Sequence, residues 1–325
     1  MDKKHLPPRL RWRSLLLLAL LLAPLLWPLQ GVVQRHYSEQ LAEQNRQTLD
    51  LYVANLLGTL RRFEVLPAIF GQLPVLRAPL LAPEEAARRD QANRLLAGLQ
   101  RQTGADVIYL MAPDGRTLAS SNWAAEDSFI ERNFAFRPYF REAMQGRLGR
   151  FFGLGNTSGK RGYFFAAAIR DAERTLGVLV VKVDLDHTET LWGNSPERLL
   201  VTDQHGVVIL TSHAAWRFRA TRELDAADHA AIAANQPYPT LAPRPLQLEQ
   251  AQWLRQDRKL AETGWQVSIL TPRNLLDRPV QSAMLIAGSA WLLLILLLGL
   301  LLQRRRHYLE RIALDSRARL HLEQR

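Results

Sequence analysis

Two long apolar spans lie near the ends of the chain and enclose a segment of mixed polarity. Residues 14–33 and 282–302 contain no charged side chain over 20 and 21 positions. Roughly 20 apolar residues in a helix cross the ~30 Å hydrocarbon core of a bilayer. The pattern therefore predicts two transmembrane helices, with the 248 residues between them, 34–281, folded on one side of the membrane.

Basic residues flank both spans and indicate their orientation. Residues 1–13 carry five basic side chains, and residues 303–325 carry seven. Short flanks rich in Lys and Arg stay in the cytoplasm, so both termini are expected there and residues 34–281 in the periplasm. The first span is too long for a typical signal-peptide core and lacks a small-x-small cleavage site. We expect an uncleaved anchor in a two-pass protein of the bacterial inner membrane, with a cleaved signal peptide as the alternative.

The net charge of +11 lies mostly beside the predicted spans. Residues 1–33 and 303–325 contribute +4 each, which leaves +3 for the outer segment. The basic excess therefore sets topology next to the lipid bilayer and does not indicate a nucleic-acid partner. The chain has no cysteine, so the outer segment depends on its core without disulfides.

The outer segment contains both helical and alternating patterns. Apolar spacing predicts a helix over 36–60, continuous with the first span, and another over 84–102. Alternating runs bounded by Gly and Pro turns predict strands at 106–112, 117–120, 150–154, 162–169 and 177–184. Helices followed by hairpin-connected strands indicate an α+β fold with antiparallel sheets.

The outer segment also contains a weak internal sequence repeat, here called the internal echo. Residues 107–121 resemble 199–212, and residues 177–183 resemble 264–270, at offsets of 91 and 87. Two tandem copies of one sheet domain explain both offsets, although two unrelated hairpins remain an alternative. We therefore predict a cytoplasmic N-terminus (1–13), a first span (14–33) and a membrane-leading helix (34–64). Two sheet domains (65–192 and 193–281), a second span (282–302) and the start of a cytoplasmic signalling helix (303–325) follow.

Arg137 is the first candidate ligand-binding residue. It precedes Pro138 at the start of a short predicted helix that ends at Gly146. A guanidinium there can clamp a carboxylate in bidentate fashion. The alternative is an internal ion pair with Asp127 or Glu131.

Lys182 is the second candidate. It is flanked by valines on a predicted central strand, so the ammonium should be buried and needs an anionic partner. That partner is either Asp184, on the same strand face, or a bound carboxylate. The echo places Ile269 at the equivalent position of the second copy, so the cation is specific to the first.

Hydroxyl side chains accompany the two cations. Thr157, Ser158 and Tyr163 flank a glycine-bearing turn between two predicted strands. They can bond a second carboxylate, or each can simply stabilise the turn. A guanidinium, an ammonium and several hydroxyls in one small domain suit a short dianion better than a sugar or a peptide.

The sequence contains no catalytic or metal-binding motif. It lacks a phosphate-binding P-loop, a dinucleotide fingerprint, a zinc-protease motif and a serine nucleophile elbow. The eight histidines are scattered without ligand spacing. No catalytic residue, metal or cofactor is predicted from these residues.

A set of short motifs closely resembles the sensor region of DctB-type histidine kinases, which respond to C4-dicarboxylates. The resemblance covers about residues 10–310. The motifs are SSNW at 120–123, SFI at 128–130, NFAFRPYF at 133–140, GRLGRFF at 146–152, TSGKRGY at 157–163 and VKVDL at 181–185.

The resemblance implies a periplasmic double Cache (PAS-like) sensor behind a long membrane-leading helix. Succinate, fumarate or malate would bind its membrane-distal copy, residues 65–192. The motif match assigns the carboxylates to Arg137 and Lys182, hydrogen bonds to Thr157, Ser158 and Tyr139, and the pocket walls to Phe134 and Tyr163.

The resemblance also implies partners and leaves alternatives open. Such kinases regulate dicarboxylate transport in two-component systems, so a homodimer and a response regulator or kinase partner are expected. The chain stops where the family's kinase region begins, so it is expected to be a fragment or to signal through a partner. It is expected to be inactive as a kinase alone and would need ATP only if a kinase domain follows.

The alternatives are a double Cache receptor for another small carboxylate, feeding a chemoreceptor or cyclic-nucleotide output, and an anchored envelope interaction protein without a small ligand. An enzyme of the cell envelope is the third alternative, ranked last because the sequence lacks a catalytic set.

Overall fold

The computed structural model describes residues 26–155, 159–190, 192, 197–240 and 242–323. The chain divides into two compact units. The described residues within Asn45–Pro272 form one, and those within the terminal segments Met1–Gln44 and Arg273–Arg325 form the other. The bounds of the helices are α1 Leu26–Glu64, α2 Leu66–Phe70, α3 Pro74–Leu81, α4 Ala86–Thr103, α5 Pro138–Met144, α6 Asp186–Thr190, α7 Ala226–Asn235 and α8 Asp277–Glu323.

Helix α8 contains the second predicted span. Within the described residues, one helix is long and apolar enough to cross a membrane, over Arg273–Ile312, with a mean hydropathy of 2.7 in its best window. A bent pair, Pro28–Phe70 and Pro74–Leu81, meets the same criterion only if it is counted as one span. Of the predicted first span, residues 14–25 lie outside the described residues, and residues 26–33 begin α1.

Two antiparallel sheets form the framework of Asn45–Pro272. The first sheet has the strand order β2-β1-β5-β4-β3, and the second has the order β7-β6-β9-β8. The strands are β1 Val107–Met111, β2 Thr117–Ser120, β3 Gly149–Leu154, β4 Arg161–Asp171, β5 Arg174–Asp184, β6 Arg198–Thr202, β7 Val208–Thr211, β8 Trp253–Leu260 and β9 Trp265–Pro272. We call the first sheet with α2–α5 the first module, and the second sheet with α7 the second module.

A shared core lies on one face of both sheets. One side of α1, represented by Leu56 and Leu60, is buried there together with Leu96 of α4. Val181 of the first sheet and Ile269 of the second belong to the same cluster. The helix predicted over 36–60 therefore forms, and the part of it inside this unit contributes to the core.

The predicted strands of the first sheet all form, and the edge strand β8 of the second sheet was missed. β8 reads Trp-Leu-Arg-Gln-Asp-Arg-Lys-Leu, and all four of its charged side chains are exposed. Charged side chains are common on edge strands because they oppose pairing with another chain. Because these charged residues interrupt the alternation of apolar and polar positions, the sequence pattern did not predict the strand.

The pairing registers of the two sheets show which residues correspond. An irregularity falls between Leu110 and Met111 in β1 and between Val201 and Thr202 in β6, an offset of 91. This offset equals that of the two turn glycines, as the internal echo predicts.

With this register, Lys182 corresponds to Leu270. Val107 pairs with Lys182, and its counterpart Arg198 pairs with Leu270. The assignment of Ile269 to this position was wrong by one residue, and a one-residue slip moves a side chain to the other face of a sheet. The conclusion that the second module lacks the cation is retained, since leucine replaces it.

The boundary predicted near residues 192–196 stays a prediction, because residues 193–196 lie outside the described part of the chain. Trp192 is described and buried. Its ring lies edge-on to Tyr52 of α1, with 6.3 Å between the ring centroids. The first residue of the predicted boundary is thus fixed in the core.

A buried carboxylate in the turn after β6 makes the stability of the second module depend on pH. Asp203 Oδ1 accepts the backbone N–H groups of His205 and Val207, both at 3.0 Å. Burial raises the pKa of Asp203 to about 6, with these hydrogen bonds and His205 opposing the shift. The folded state therefore binds this proton more tightly than the unfolded chain, whose Asp pKa is about 3.9.

Asp203→Asn should raise the free energy of unfolding at pH 7 by about 1–2 kcal/mol and leave it unchanged near pH 4. An acid with a raised folded pKa destabilises the fold above that pKa, and the penalty disappears as pH falls from 6 towards 4. The asparagine keeps the Oδ1 acceptor. Urea unfolding of both proteins between pH 4 and 7.5 measures this, and equal stability at pH 7 would contradict it.

Candidate functional site

Lys182 and the aromatic residues of a second apolar cluster occupy the same face of the first sheet. The cluster contains Val180, Tyr109, Phe134 and Tyr139, and Lys182 lies two positions after Val180 on β5. Because alternate residues of a strand share a face, the lysine points towards this cluster and away from α1.

A glycine makes room for the Lys182 side chain. A Cβ added to Gly162, on the neighbouring strand β4, would lie 2.7 Å from Lys182 Cε and 2.9 Å from its Cγ. Any larger residue at position 162 would displace the buried ammonium. Gly162 therefore positions the candidate site.

An internal carboxylate neutralises Lys182. The lysine is fully buried, and its Nζ lies 2.5 Å from Asp106 Oδ2, whose side chain is 20% exposed. The Asp106 N–H also donates to the Lys182 carbonyl at 2.9 Å. The internal alternative named from the sequence was wrong in its residue: Asp184 Oδ1 instead accepts the N–H of Asp186.

Arg137 precedes α5 and is only 2% exposed. Its Nη1 donates to the carbonyls of Asn235 at 3.0 Å and Gln236 at 2.8 Å, and its Nη2 donates to the Leu154 carbonyl at 3.0 Å. Two of these partners belong to the second module. Pro138 occupies the first turn of α5, as predicted.

Aromatic rings surround the Arg137 guanidinium. Its Cζ lies 4.9 Å from the centroid of Phe136 and 5.3 Å from that of Phe151. Burial lowers the pKa of Arg137 below that of an exposed arginine. Glu131, one of the two carboxylates considered as an internal partner of Arg137, pairs instead with Arg116 at 3.1 Å.

Two tyrosine hydroxyls meet on the same face. Tyr109 and Tyr139 share a hydrogen bond of 2.7 Å and are 0% and 1% exposed. Burial raises the pKa of both phenols, so both stay protonated near neutral pH. Tyr139 was predicted, whereas Tyr109 was missed. Its place opposite Val180 on β1 would have indicated it, since it shares the face of Lys182.

A small cavity lies beside Arg137, Tyr109 and Tyr139, and its lining does not include Lys182. Its volume is about 10 Å³, which corresponds to roughly one water molecule. A four-carbon diacid fits only if some of the walls move. The lining residues are Tyr109, Phe129, Phe134, Arg137, Tyr139, Gly155 and Phe164.

Three predicted site residues lie elsewhere or cannot be described. Thr157 and Ser158 fall outside the described residues. Tyr163 lies on the opposite face of the sheet from Phe164, where its ring packs against Phe165 at 4.9 Å and Trp265 at 5.1 Å between centroids. The prediction that Tyr163 lines the pocket beside Phe134 is therefore corrected, because adjacent strand residues point to opposite faces.

The matching face of the second module carries different side chains, since Ser268 there donates to Asp257 Oδ1 at 2.6 Å and no lysine is present at the position of Lys182. Leu200 and Leu270 occupy the positions of Tyr109 and Lys182, and both belong to a small apolar cluster with Val208. Among the described residues, no group of three or more His, Cys, Asp or Glu side chains could hold a metal ion.

No family model matches the chain. The chain is 64% identical over 315 residues to the C4-dicarboxylate transport sensor protein DctB of Pseudomonas aeruginosa, covering 97% of the chain and 52% of that protein. It is 30% identical over 304 residues to the protein of the same description from Rhizobium meliloti, covering 87% and 49%. The chain thus spans about half the length of the curated relatives it matches.

A solved structure matches the sensor part alone. The crystal structure of the V. cholerae histidine kinase DctB sensor domain superposes with a TM-score of 0.67 at 32% identity. The match covers 72% of this chain and 98% of that domain. The α+β fold with its long N-terminal helix is therefore confirmed, and the chain belongs to the DctB family of sensor proteins.

Proposed function

We propose that this chain is the sensory part of a DctB receptor and binds a C4-dicarboxylate, such as succinate, fumarate or malate, on the cation-bearing face of the first module. The observation that carries the proposal is the burial of two cationic side chains there. Lys182 is 0% exposed and Arg137 is 2% exposed, while Leu270 replaces the lysine in the second module. Away from water, charged groups interact more strongly, so two buried cations on one face can bind an anion tightly.

Charge balance suggests how a dianion would enter this site. Asp106 neutralises Lys182 in the structure, and its side chain is 20% exposed. A dianion needs two cationic partners, so Asp106 would turn towards solvent while one ligand carboxylate takes its place. The second carboxylate would bind Arg137, and the Tyr109 and Tyr139 hydroxyls would donate to the ligand.

The remaining assignments rest on the relatives, two of which are C4-dicarboxylate transport sensor proteins. The first module would lie in the periplasm with both termini in the cytoplasm. Helix α8 would cross the inner membrane and carry the signal. A homodimer and a response regulator would complete a two-component system that regulates dicarboxylate transport.

Calorimetry on the full chain in detergent tests the proposal. Succinate, fumarate or malate should bind, and butyrate, with one carboxylate, should not. Lys182→Met and Arg137→Ala should each weaken diacid binding by about 100-fold, because each removes a charge-assisted interaction of about 3 kcal/mol.

A matched control is available in the second sheet. Lys259 is an exposed lysine on β8, and Lys259→Met should leave the affinity unchanged. Equal affinity for butyrate and succinate, or unchanged affinity in both site variants, would reject the proposed site.

A further inference from the structure

The C-terminal end of α7 is held by residues of the first module. The helix ends before Gln236, which adopts a left-handed conformation with φ 48°. The last carbonyls of a helix lack intrahelical partners and carry the negative end of its dipole. Arg137 donates to the carbonyls of Asn235 and Gln236 and thus supplies both hydrogen bonds and a positive charge at this end.

Two further contacts reinforce this junction. Arg141 Nη2 donates to Asn235 Oδ1 at 2.8 Å, and the Leu154 N–H donates to the Pro237 carbonyl at 3.0 Å. Arg141 lies on α5 and Leu154 ends β3, so both belong to the first module.

Arg137 belongs to the cavity and to the junction at the same time. Its side chain is part of the cavity wall beside Tyr109 and Tyr139, and its guanidinium holds two carbonyls of the second module. Because the cavity has a volume of only about 10 Å³, a diacid enters only if wall residues move. A carboxylate can bind a guanidinium through two parallel hydrogen bonds between opposite charges, whereas a backbone carbonyl accepts as a neutral group.

We propose that Arg137 couples the diacid site to the second module: when its guanidinium binds a ligand carboxylate, it leaves the carbonyls at the end of α7. This inference rests on the proposed function, since it requires the diacid to bind at Arg137. Coupling between two contacts is reciprocal, so any change that loosens the end of α7 favours the diacid.

Hydrogen exchange on the full chain in detergent, with and without saturating succinate, tests the coupling. The Gln236 N–H donates to Ile232 at 2.8 Å and reports on the last turn of α7. Exchange over residues 232–238 should become several-fold faster with succinate. In Arg137→Ala it should be fast without any ligand, and in Lys182→Met succinate should leave it unchanged.

A second variant tests the reciprocal effect without touching the cavity. Arg141→Ala removes one tether of α7 and should strengthen succinate binding several-fold. Arg147→Ala is the matched control, since Arg147 is exposed just past α5 and forms no hydrogen bond to α7 among the described residues; its affinity should equal that of the unmodified chain.

The outcomes separate this inference from the proposed function. Absence of any heat of succinate binding rejects the proposed function itself. Succinate binding with unchanged or slower exchange at residues 232–238 overturns the coupling and leaves the binding site intact. Unchanged affinity in Arg141→Ala also contradicts the coupling.

Discussion

Asp106→Ala should lower the free energy of unfolding by about 3 kcal/mol, because it leaves a fully buried ammonium without its carboxylate. Lys182 is 0% exposed, and its Nζ lies 2.5 Å from Asp106 Oδ2. The estimate is at the lower end for a broken buried ion pair, since Asp106 itself is 20% exposed. Urea unfolding of the full chain in detergent, followed by tryptophan fluorescence, measures the loss.

Substitution of Lys182, the other member of the ion pair, supplies the control. Lys182→Met leaves only the partly exposed carboxylate, which water can reach, and should cost about 1–2 kcal/mol. The double variant should be more stable than Asp106→Ala, because two neutral side chains leave no charge buried. Asp106→Ala costing no more than Lys182→Met would show that the ammonium has another sufficient counter-charge.

The proposed ligand should reverse part of this loss. In Asp106→Ala a succinate carboxylate would supply the missing negative charge beside Lys182. Saturating succinate should therefore stabilise Asp106→Ala by more than it stabilises the unmodified chain. Equal stabilisation would indicate that succinate does not approach Lys182.

Glu189→Ala should lower the free energy of unfolding by about 3 kcal/mol or more, since it leaves a buried guanidinium without its principal partner. Glu189 Oε1 accepts Arg161 Nη1 at 2.9 Å and the Thr211 N–H at 2.7 Å, and its Oε2 accepts Arg161 Nη2 at 2.6 Å and Arg217 Nη2 at 2.7 Å. Arg161 begins β4 and Thr211 ends β7, so the carboxylate joins the two modules. The same urea titration measures the effect.

The ionisation of Glu189 makes this contribution to stability depend on pH. Burial opposes ionisation of Glu189, but hydrogen bonds from Arg161 and Thr211 outweigh it, so the pKa of Glu189 lies below its usual value. Its contribution to stability is therefore present above the unfolded pKa of about 4.3 and is lost as pH falls through the folded pKa.

An exposed ion pair provides the comparison for Glu189. Glu262 pairs with Arg61, and their side chains are 44% and 61% exposed. Glu262→Ala should cost less than about 1 kcal/mol, as is typical of surface pairs. A loss of similar size in Glu189→Ala would mean that solvent replaces the carboxylate in the Arg161 cluster.

Much of the first module could be predicted from sequence because its strands carry clear patterns. Valines on both sides of Lys182 predicted a buried central strand, and the structure places it on β5, the middle strand of five. Pro138 and Gly146 marked the limits of α5. β8 was missed because charged residues on an edge strand do not alternate with apolar ones.

The partners of the two cations could not be predicted by the same reasoning. Arg137 bonds backbone carbonyls 98 and 99 residues further along the chain, and no side-chain type marks such a partner. Asp106 reaches Lys182 through the pairing of Val107 with Lys182, which requires the register of β1 and β5. Tyr163 was misplaced because a nearby turn does not determine which face of β4 a residue occupies.

A crystal structure of residues 34–281 with succinate tests the central claim most directly. The account predicts one succinate in the first module, with one carboxylate within hydrogen-bond distance of Lys182 Nζ and the other within hydrogen-bond distance of the Arg137 guanidinium. A structure in which succinate binds elsewhere, while Lys182 keeps Asp106 and Arg137 keeps the carbonyls of Asn235 and Gln236, would contradict it.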